Sequence, residues 1–579
     1  MLSELSPDSS LLMPDFDGYK LSLDNVPIYT HQLTTGVSHR EPTSHQFSFA
    51  FVRLFGLHNH LHGDPCTKDQ VFLINDNGEI VKHLWNSDKR LFESSVVAST
   101  STGAECRVLN PSLCLDAPGH AAAMTGGADG LLTVFFTGDR TTNEEWKQIA
   151  SLKVSTPGVV RSLSFDQEKN ELQILVESVV LKDAFPELES LKEGEAATLI
   201  HWLKVNPELG KGDDSVVFHK KICVHGVVEY VALEEGGQAI YICSEKEPVY
   251  AYDSVRPCTP TLERVLREPI AYTWSQTEEN ISVSFNIPAG VDSINTEVKE
   301  QNLKVTIASP CGQFSKEVIN GTLVQSVLPE IDTKNVDGSV ELRLTKTEAG
   351  VDWFEFIRND PNGTMAANEV DVEKANSCLD KYTSEKQAKD AEGLGHGFNN
   401  SQLEECDELP ASSKLQRLPL ESHSPSHIVL LSSQQWLGNS RTPIAGQQPT
   451  LLLRHDVDAL VWQPGHHLES LTQHLATFPG FGYVQASKTS KKWLVWPPGA
   501  SWVAVVDTHR HIYLYHQPQP LQTQLINRKS GQKVKTVAKQ QVVGLPDNSA
   551  RVLGVYPEDD KLFVLLANNS IVVVQVNQA

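Results

Sequence analysis

The chain closes on 551-RVLGVYPEDDKLFVLLANNSIVVVQV-576, three short apolar runs broken by the turn residues Pro557-Glu558-Asp559-Asp560 and Asn568-Asn569-Ser570. Its last run, Ile571 to Val576, is too apolar to stand as a free edge, because an unpaired apolar strand templates aggregation. That strand either exposes an aggregating edge or completes a sheet begun elsewhere. A propeller supplies the partner: its last strand completes a blade that the N-terminal segment starts, so the chain closes into a ring.

The same texture extends in both directions along the sequence. From about His427 it runs through "LLLRHDVDALVW" (451–462), "GYVQASKTSKKWLVW" (482–496) and "WVAVVDTHRHIYLYH" (502–516), with Trp502, Ala504 and Val506 alternating on one face. In the first half, "VFLINDNGEIVKHLW" (71–85) reads as a hairpin about Asn75 to Gly78. "LLTVFFTGD", "LSFDQEKNELQILVE", "ATLIHWLKV", "VVEYVALEEGGQAIYIC" and "VYAYD" repeat the pattern up to Tyr252 and Asp253. No long helical stretch separates the strands, which excludes βαβ layering and leaves a sandwich, a barrel or a propeller, of which chain length favours the propeller. The expected fold is all-β: a split propeller of about seven blades, formed by 1–260 and 426–579 together.

Two different textures lie between those halves. Residues 268–360 form a strand series of their own, in which Ile281, Val283, Phe285 and Ile287 face one way and Ser282, Ser284 and Asn286 the other. Val340, Leu342 and Leu344 repeat the alternation, giving a small antiparallel sandwich. From Asn359 to Ser412 the chain holds twelve Asp/Glu against four Lys. With a helical stretch at about 370–391, it reads as an acidic, partly disordered linker, placed at 361–425 in the domain layout.

Composition restricts function. At 579 residues the chain is long enough for several units, and 49 basic against 72 acidic residues leave a net charge of −23. That charge argues against a whole-molecule nucleic-acid or anionic-membrane binder. Lys488, Lys491, Lys492, Arg528, Lys529, Lys533, Lys535 and Lys539 nonetheless cluster late in the chain, interleaved with Trp493 and Tyr515. This cluster reads as an RNA contact or as a dock for an acidic protein surface, and the global charge favours the protein. The nine cysteines are scattered without a C-x-x-C pair, and the first residues carry no legible targeting signal. Both features point to a reducing cytosol or nucleus, where the five N-x-S/T triplets are chance.

Chemistry-bearing constellations are few. His58, His60 and His62 with Cys66 could cage a transition metal, but exposed edge histidines are the commoner case. In 454-RHDVD-458, strand alternation would bring Arg454, Asp456 and Asp458 to one face as a structural ion cluster. Gly210-Lys211-Gly212 lacks P-loop spacing, and no G-x-S-x-G elbow is present. The expectation is a protein that is not an enzyme, with no metal and no cofactor.

The stretches "EPIAYTWSQTEENISVSFNIP" (268–288) and "LTKTEAGVDWFEF" (344–356) resemble the CS domain of the NudC family. "FDGYKLSLDNVPIY", "LEECD", "LRHDVDALVWQP", "GYVQASK", "YHQPQP" and "NRKSGQKVKTVAKQQV" extend the resemblance to one branch of that family across essentially the whole chain. It implies a co-chaperone-like protein of cytoplasm and nucleus that cooperates with the ninety-kilodalton heat-shock chaperone and associates with a DEAH-box RNA helicase. It also places Trp274 and Trp353 at the aromatic positions that open and close the CS domain, as core platforms or as partner contacts. Thr333 stands near a position where NudC-type domains usually carry Trp, a departure that bears on chaperone binding.

Limited proteolysis is expected to cut first within 359–412, the acidic, Gly-containing stretch with little apolar content. The flanking halves should then co-elute on native gel filtration; fragments that separate would rule out a shared ring.

Overall fold

The computed structural model describes residues 2–576 except 101–106, 182–195, 259–271, 287–292, 309–314, 366–412, 441–446, 466–470, 527–532 and single positions or pairs at 47, 211, 257, 300, 337–338, 359, 361–362 and 548. The chain divides into two compact units, Met1–Cys258 with Glu408–Ala579, and Thr259–Asp407. The helix expected at 370–391 falls outside the described residues, as does the linker expected at 361–425 except 363–365 and 413–425, and within the latter Lys414–Pro419 is a paired strand of the larger unit and not linker.

The larger unit contains seven sheets among the described residues, antiparallel apart from one short parallel edge strand in each of two of them. In chain order, blade 1 occupies 62–99, blade 2 112–153, blade 3 159–225 with Val249–Asp253, and blade 4 228–244 with 414–430. Blades 5, 6 and 7 occupy 435–478, 491–544 and 552–575. Turn chemistry sets these strands: in blade 1 the Asn75 side chain accepts from the Asn77 and Glu79 N–H groups, and Gly78 takes φ 80°.

Neighbouring residues of one strand serve opposite seams between blades, which explains why so many strands are continuously apolar. Phe72 packs with Leu113 between blades 1 and 2, while Val71 packs with Phe563 between blades 7 and 1. The remaining seams follow in order: Leu132 with Leu163, Trp202 with Ile240, Tyr241 with Leu460, Val461 with Val503, and Trp502 with Leu562. Each sheet packs on the next, and the seventh packs on the first. The ring is also closed by hydrogen bonds. Ile28–Gln32 pairs antiparallel with the last strand, Ile28 opposite Val574 through Gln32 opposite Ser570. At the same seam Lys561 of blade 7 binds Asp69 of blade 1 at 2.5 Å, with Asp560 at 3.0 Å.

The second unit is inserted within blade 4. Ala239–Ser244 precedes it and Lys414–Pro419 follows it, yet the two strands pair directly from Ala239–Pro419 to Ser244–Lys414. Buried polar contacts join these roots. The Arg417 guanidinium donates two bonds to Glu234 at 2.7 and 2.6 Å, and Tyr241 donates to the same carboxylate at 2.6 Å. Asp253 meets the Lys220 ammonium at 3.2 Å and His423 at 2.8 Å. Burial alone would raise the Asp253 pKa. The His423 bond, the Val255 and Arg256 N–H groups and Lys220 outweigh it and hold the carboxyl down at about 2.

The inserted unit is itself a two-sheet sandwich. One sheet runs Val327–Val336, Ser339–Lys346, Asn280–Asn286, Tyr272–Gln276, Gly363–Met365, and the other Ser293–Lys299, Asn302–Ala308, Ser315–Thr322. Ile281, Val283, Phe285, Val340, Leu342 and Leu344 form its core, as the alternation predicts. Ile287 lies outside the described residues. Gln276 ties down the closing segment: its amide donates to the Trp353 carbonyl at 2.9 Å, and its oxygen accepts from the Trp353 N–H and from Lys346.

Removing residues 1–32 strips the closing strand and reopens the last one. The shortened chain is expected to lose its native melting transition and to aggregate on gel filtration. A monomer with unchanged Tm would refute closure through Ile28–Gln32.

Candidate interaction surface

In an antiparallel blade, the connection between its second and third strands and the connection to the next blade emerge on one face. The first strands line the inside of the ring: His62–Gly63 touches Val552–Pro557, which touches Lys491–Val495, which touches Gln435–Ser440. On this face the link from blade 7 to blade 1 forms a helix, α1 (Phe49–Gly56), and the link from blade 5 to blade 6 a second, α2 (Phe481–Ala486).

Helix α1 starts where Ser48 caps it, its side chain accepting from the Phe51 N–H at 3.2 Å. Ala50, Phe51, Leu54 and Phe55 sink into a cluster with Leu109, Val159 and Val179 of the ring. Arg53 lies 4.1 Å over the Trp436 ring and donates to the Glu229 carbonyl at 3.4 Å. The segment that follows stays inside. His58 bonds the Pro111 carbonyl at 3.1 Å, Asn59 exchanges two bonds with Val555, and His60 meets His39 at 3.0 Å. Residues 48–62 thus touch inner strands or their approaches in blades 2, 3, 4, 5 and 7, and they cap the mouth of the ring. What α1 leaves outside is apolar: Phe49 is 73% exposed and Val52 47%, and Tyr483 of α2 is 69% exposed.

The late lysines divide between two places. Lys488 sits 4.7 Å from the Tyr513 ring, and Lys491 donates to Gln485 of α2. Lys492 is spent inward, donating to the Val552 carbonyl at 2.8 Å and lying 4.0 Å over Trp493. Burial, helped by the nearby Arg551 and opposed by Glu41, pushes its ammonium down to about 7. As a surface cation for an acidic partner, Lys492 is therefore corrected to a half-buried contact of the ring. Lys533 and Lys539 lie on the outer strand Lys533–Gly544 of blade 6, away from the mouth, with Lys539 paired to Asp24 at 2.9 Å. Arg528 and Lys529 lie outside the described residues, as does the Lys535 side chain.

Trp274 and Trp353 are core residues, 3% and 2% exposed, and Trp353 stacks on Phe356. Their burial leaves no ring face for a partner, which corrects their assignment as partner contacts. The side chain that does stand free beside them is Phe354, 92% exposed. Thr333 is exposed on the edge strand Val327–Val336, opposite Leu342. Arg454, Asp456 and Asp458 do not share a strand face, because His455 and Asp458 close a tight hairpin and Asp456 takes φ 52°. Arg454 donates to the Asp456 backbone carbonyl, and the Asp458 carboxylate accepts from the Gly480 N–H. No cluster of three or more His, Cys, Asp or Glu suited to a metal occurs among the described residues. His58 and His60 are committed as above, and Cys66 accepts from Arg140 at 3.6 Å.

Comparison with known proteins agrees with this architecture. The CS domain family matches residues 270–346. The mouse NudC domain-containing protein 1 is 30% identical over 96% of this chain and 96% of its own length, and the Xenopus laevis protein of that name is 29% identical over 99% and 98%. The chain belongs to the NudC domain-containing protein 1 family. Among solved structures, the nuclear movement protein from E. cuniculi aligns with 15% of this chain and 98% of its own at 20% identity, with a TM-score of 0.13. A CS domain carried by a propeller-like ring supports an adaptor for protein interactions. Among the described residues, no helix is long and apolar enough to cross a membrane.

Helix α1 is the element that strand-pattern reading passes over. Its signal is present in the sequence: Ser48 as cap, then apolar residues at 50, 51, 54 and 55, the spacing of one helical face.

The histidines beneath α1 are neutral when folded. Burial, with Lys492 and Arg551 adding to it, brings His39 down to about 4, and burial with neighbouring histidines takes His58 and His60 well below the usual range, Arg161 adding to the first and Lys492 to the second. Below about pH 6.5 the unfolded chain therefore binds more protons than the folded one. The stability these groups confer is full above that pH and is lost as pH falls towards 4. Thermal melts should show a Tm flat above pH 7 and falling by several degrees from pH 6.5 to 5, with a shallower fall in His60→Gln. An equal slope in both chains would show that His60 is not buried neutral.

Proposed function

We propose that the chain is a non-enzymatic, co-chaperone-like adaptor. The ring holds a protein partner on the α1 face, and the CS unit links that partner to the ninety-kilodalton heat-shock chaperone. A DEAH-box RNA helicase is the candidate for the partner, and cytoplasm and nucleus the setting. The observation that carries this reading is the pairing, within one chain, of a CS sandwich with a rigid ring whose capping helix turns Phe49 and Val52 to solvent. Exposed aromatic and aliphatic residues on a packed support are the usual anchors of a protein interface.

Thr333 favours a second reading, in which the CS unit is structural and the ring alone scaffolds an RNA-processing or trafficking assembly. Thr333 shares a sheet face with the buried Leu342, so the edge of that core carries a small polar side chain where NudC-type domains usually carry Trp.

Affinity purification of the intact chain, of a chain lacking 268–360, and of Phe49→Asp/Val52→Asp separates the two. The adaptor reading expects loss of the chaperone with the deletion and loss of the helicase with the double substitution. Chaperone recovery unchanged by the deletion would leave only the scaffold reading.

A further inference from the structure

The first residues of the chain run along the outer edges of four successive blades. Leu2–Glu4 pairs in parallel with His427–Leu430 of blade 4, and the Leu5 N–H extends the pairing to the Leu430 carbonyl at 3.1 Å. The Asp8 N–H bonds His474 of blade 5 at 3.2 Å. Tyr19–Leu21 pairs in parallel with 538–540 of blade 6, the Ser22 N–H reaching the Gln540 carbonyl at 2.8 Å. Ile28–Gln32 then closes blade 7.

The side chains of this strap follow a spacing that no secondary structure explains. Leu5, Leu12, Tyr19, Val26 and Leu33 stand seven residues apart. Leu5 and Leu12 enter the seam between blades 4 and 5, Tyr19 that between 5 and 6, Val26 that between 6 and 7, and Leu33 that between 7 and 1. From Leu12 onward each step of seven residues advances the strap by one seam, the step from Leu12 to Tyr19 passing through a turn in which the Phe16 N–H bonds the Met13 carbonyl at 3.2 Å. The short helix Ser9–Leu11 shortens the first step, which keeps Leu5 and Leu12 in one seam.

The strap has two tiers. Ile28–Gln32 makes five antiparallel pairs and closes the ring, whereas Leu2–Glu4 and Tyr19–Leu21 make three parallel pairs each. Leu2, Leu21 and Leu23 of the outer tier face solvent, Leu23 at 92% exposure. The outer tier fills blade edges that the four antiparallel strands would otherwise leave open.

We propose that the outer edges of blades 4 and 6 are strand-addition sites that residues 2–24 occupy from within the chain. When the strap is off, an extended segment of another protein, carrying large apolar side chains seven residues apart, takes them in parallel register. Backbone pairing supplies affinity, and the seam pockets for Leu5, Leu12 and Tyr19 supply specificity. This surface lies on the rim and does not depend on the α1 face.

The test removes residues 1–24, leaving the closing strand intact, and adds a labelled synthetic peptide of residues 1–24. The peptide should bind the shortened chain at one to one, bind the intact chain at least tenfold more weakly, and lose at least tenfold in affinity when Leu5, Leu12 and Tyr19 are replaced by Ser. Equal binding to both chains, or indifference to the three replacements, would overturn the proposal. Should the shortened chain fail to fold, a protease site placed between Asp24 and Asn25 of the full chain allows cutting after folding. Excess labelled peptide should then displace the cut segment, with reduced hydrogen-exchange protection at 427–430 and 538–540 before it is added. A cut segment that cannot be exchanged from a folded ring would refute the proposal.

Discussion

Everything in the larger unit depends on the pairing of Ile28–Gln32 with the last strand. An array of sheets that pack only on their neighbours has two terminal faces, each a row of buried-type residues exposed to water. Pairing a strand from one end of the chain into the sheet made by the other removes both faces at once: Val71 and Leu73 of blade 1 gain Phe563 and Val573 of blade 7 as neighbours. Lys561 reinforces that seam with a cation among three carboxylates, Asp69, Asp560 and Glu558. With Lys561 and Glu558 buried and Asp69 and Asp560 partly exposed, the group adds positional definition more than net stability, since desolvation of the buried pair offsets much of its attraction. The apolar seam supplies the stabilisation, and the ions fix its register.

Closure also explains why blade 4 tolerates a whole domain inside it. The entropy of closing a loop grows by only about 0.6 kcal/mol for each doubling of length, so a long excursion is cheap once its ends are fixed. Here the ends are fixed by paired backbone from Ala239 to Ser244 and by buried contacts that each join a residue before the insertion to one after it. Glu234 with Arg417 and Asp253 with His423 are of this kind. Without its partners a carboxylate as buried as Asp253 would be costly to keep charged and would take up a proton. Its bond to His423 ties the last strand of blade 3 to blade 4, while the Glu234–Arg417 pair and the backbone pairing from Ala239 to Ser244 hold the two halves of blade 4 together.

The strands and hairpins were legible because they obey the two-residue period and are punctuated by Gly, Asn and Asp turns. The hairpin about Asn75–Gly78 and the alternation from Ile281 to Phe285 are of this kind. Where the reading failed, a different rule was in force. Asp456 was assigned to a strand, yet two residues between antiparallel strands make a turn, and the left-handed φ of Asp456 releases it from the alternation. For Trp274 and Trp353 the resemblance allowed core platforms or partner contacts, and the structure buries both, an aromatic ring at the start and end of a small sandwich being its largest available core filler. The strap was invisible for another reason. A spacing of seven in an extended chain reflects the distance between seams of a ring, which no local period contains.

The mouth of the ring differs in kind from its seams. The seams are mainly apolar, whereas α1 and the segment under it are held by Arg53, His58, Asn59 and His60 through hydrogen bonds to carbonyls of the first strands or the residue just before one. Inner strands of a ring converge, so their exposed carbonyls and N–H groups need partners that a single apolar plug could not provide. A polar plug satisfies them at fixed angles, and that fixes the orientation of the helix above it. Phe49 and Val52 are thus presented on a support with little freedom to move, which lowers the ordering cost that a flexible loop would incur on meeting a partner. The constraint that closes the ring at its rim and the polar contacts that fill its centre act together: the first makes the scaffold rigid, and the second decides which side chains it shows.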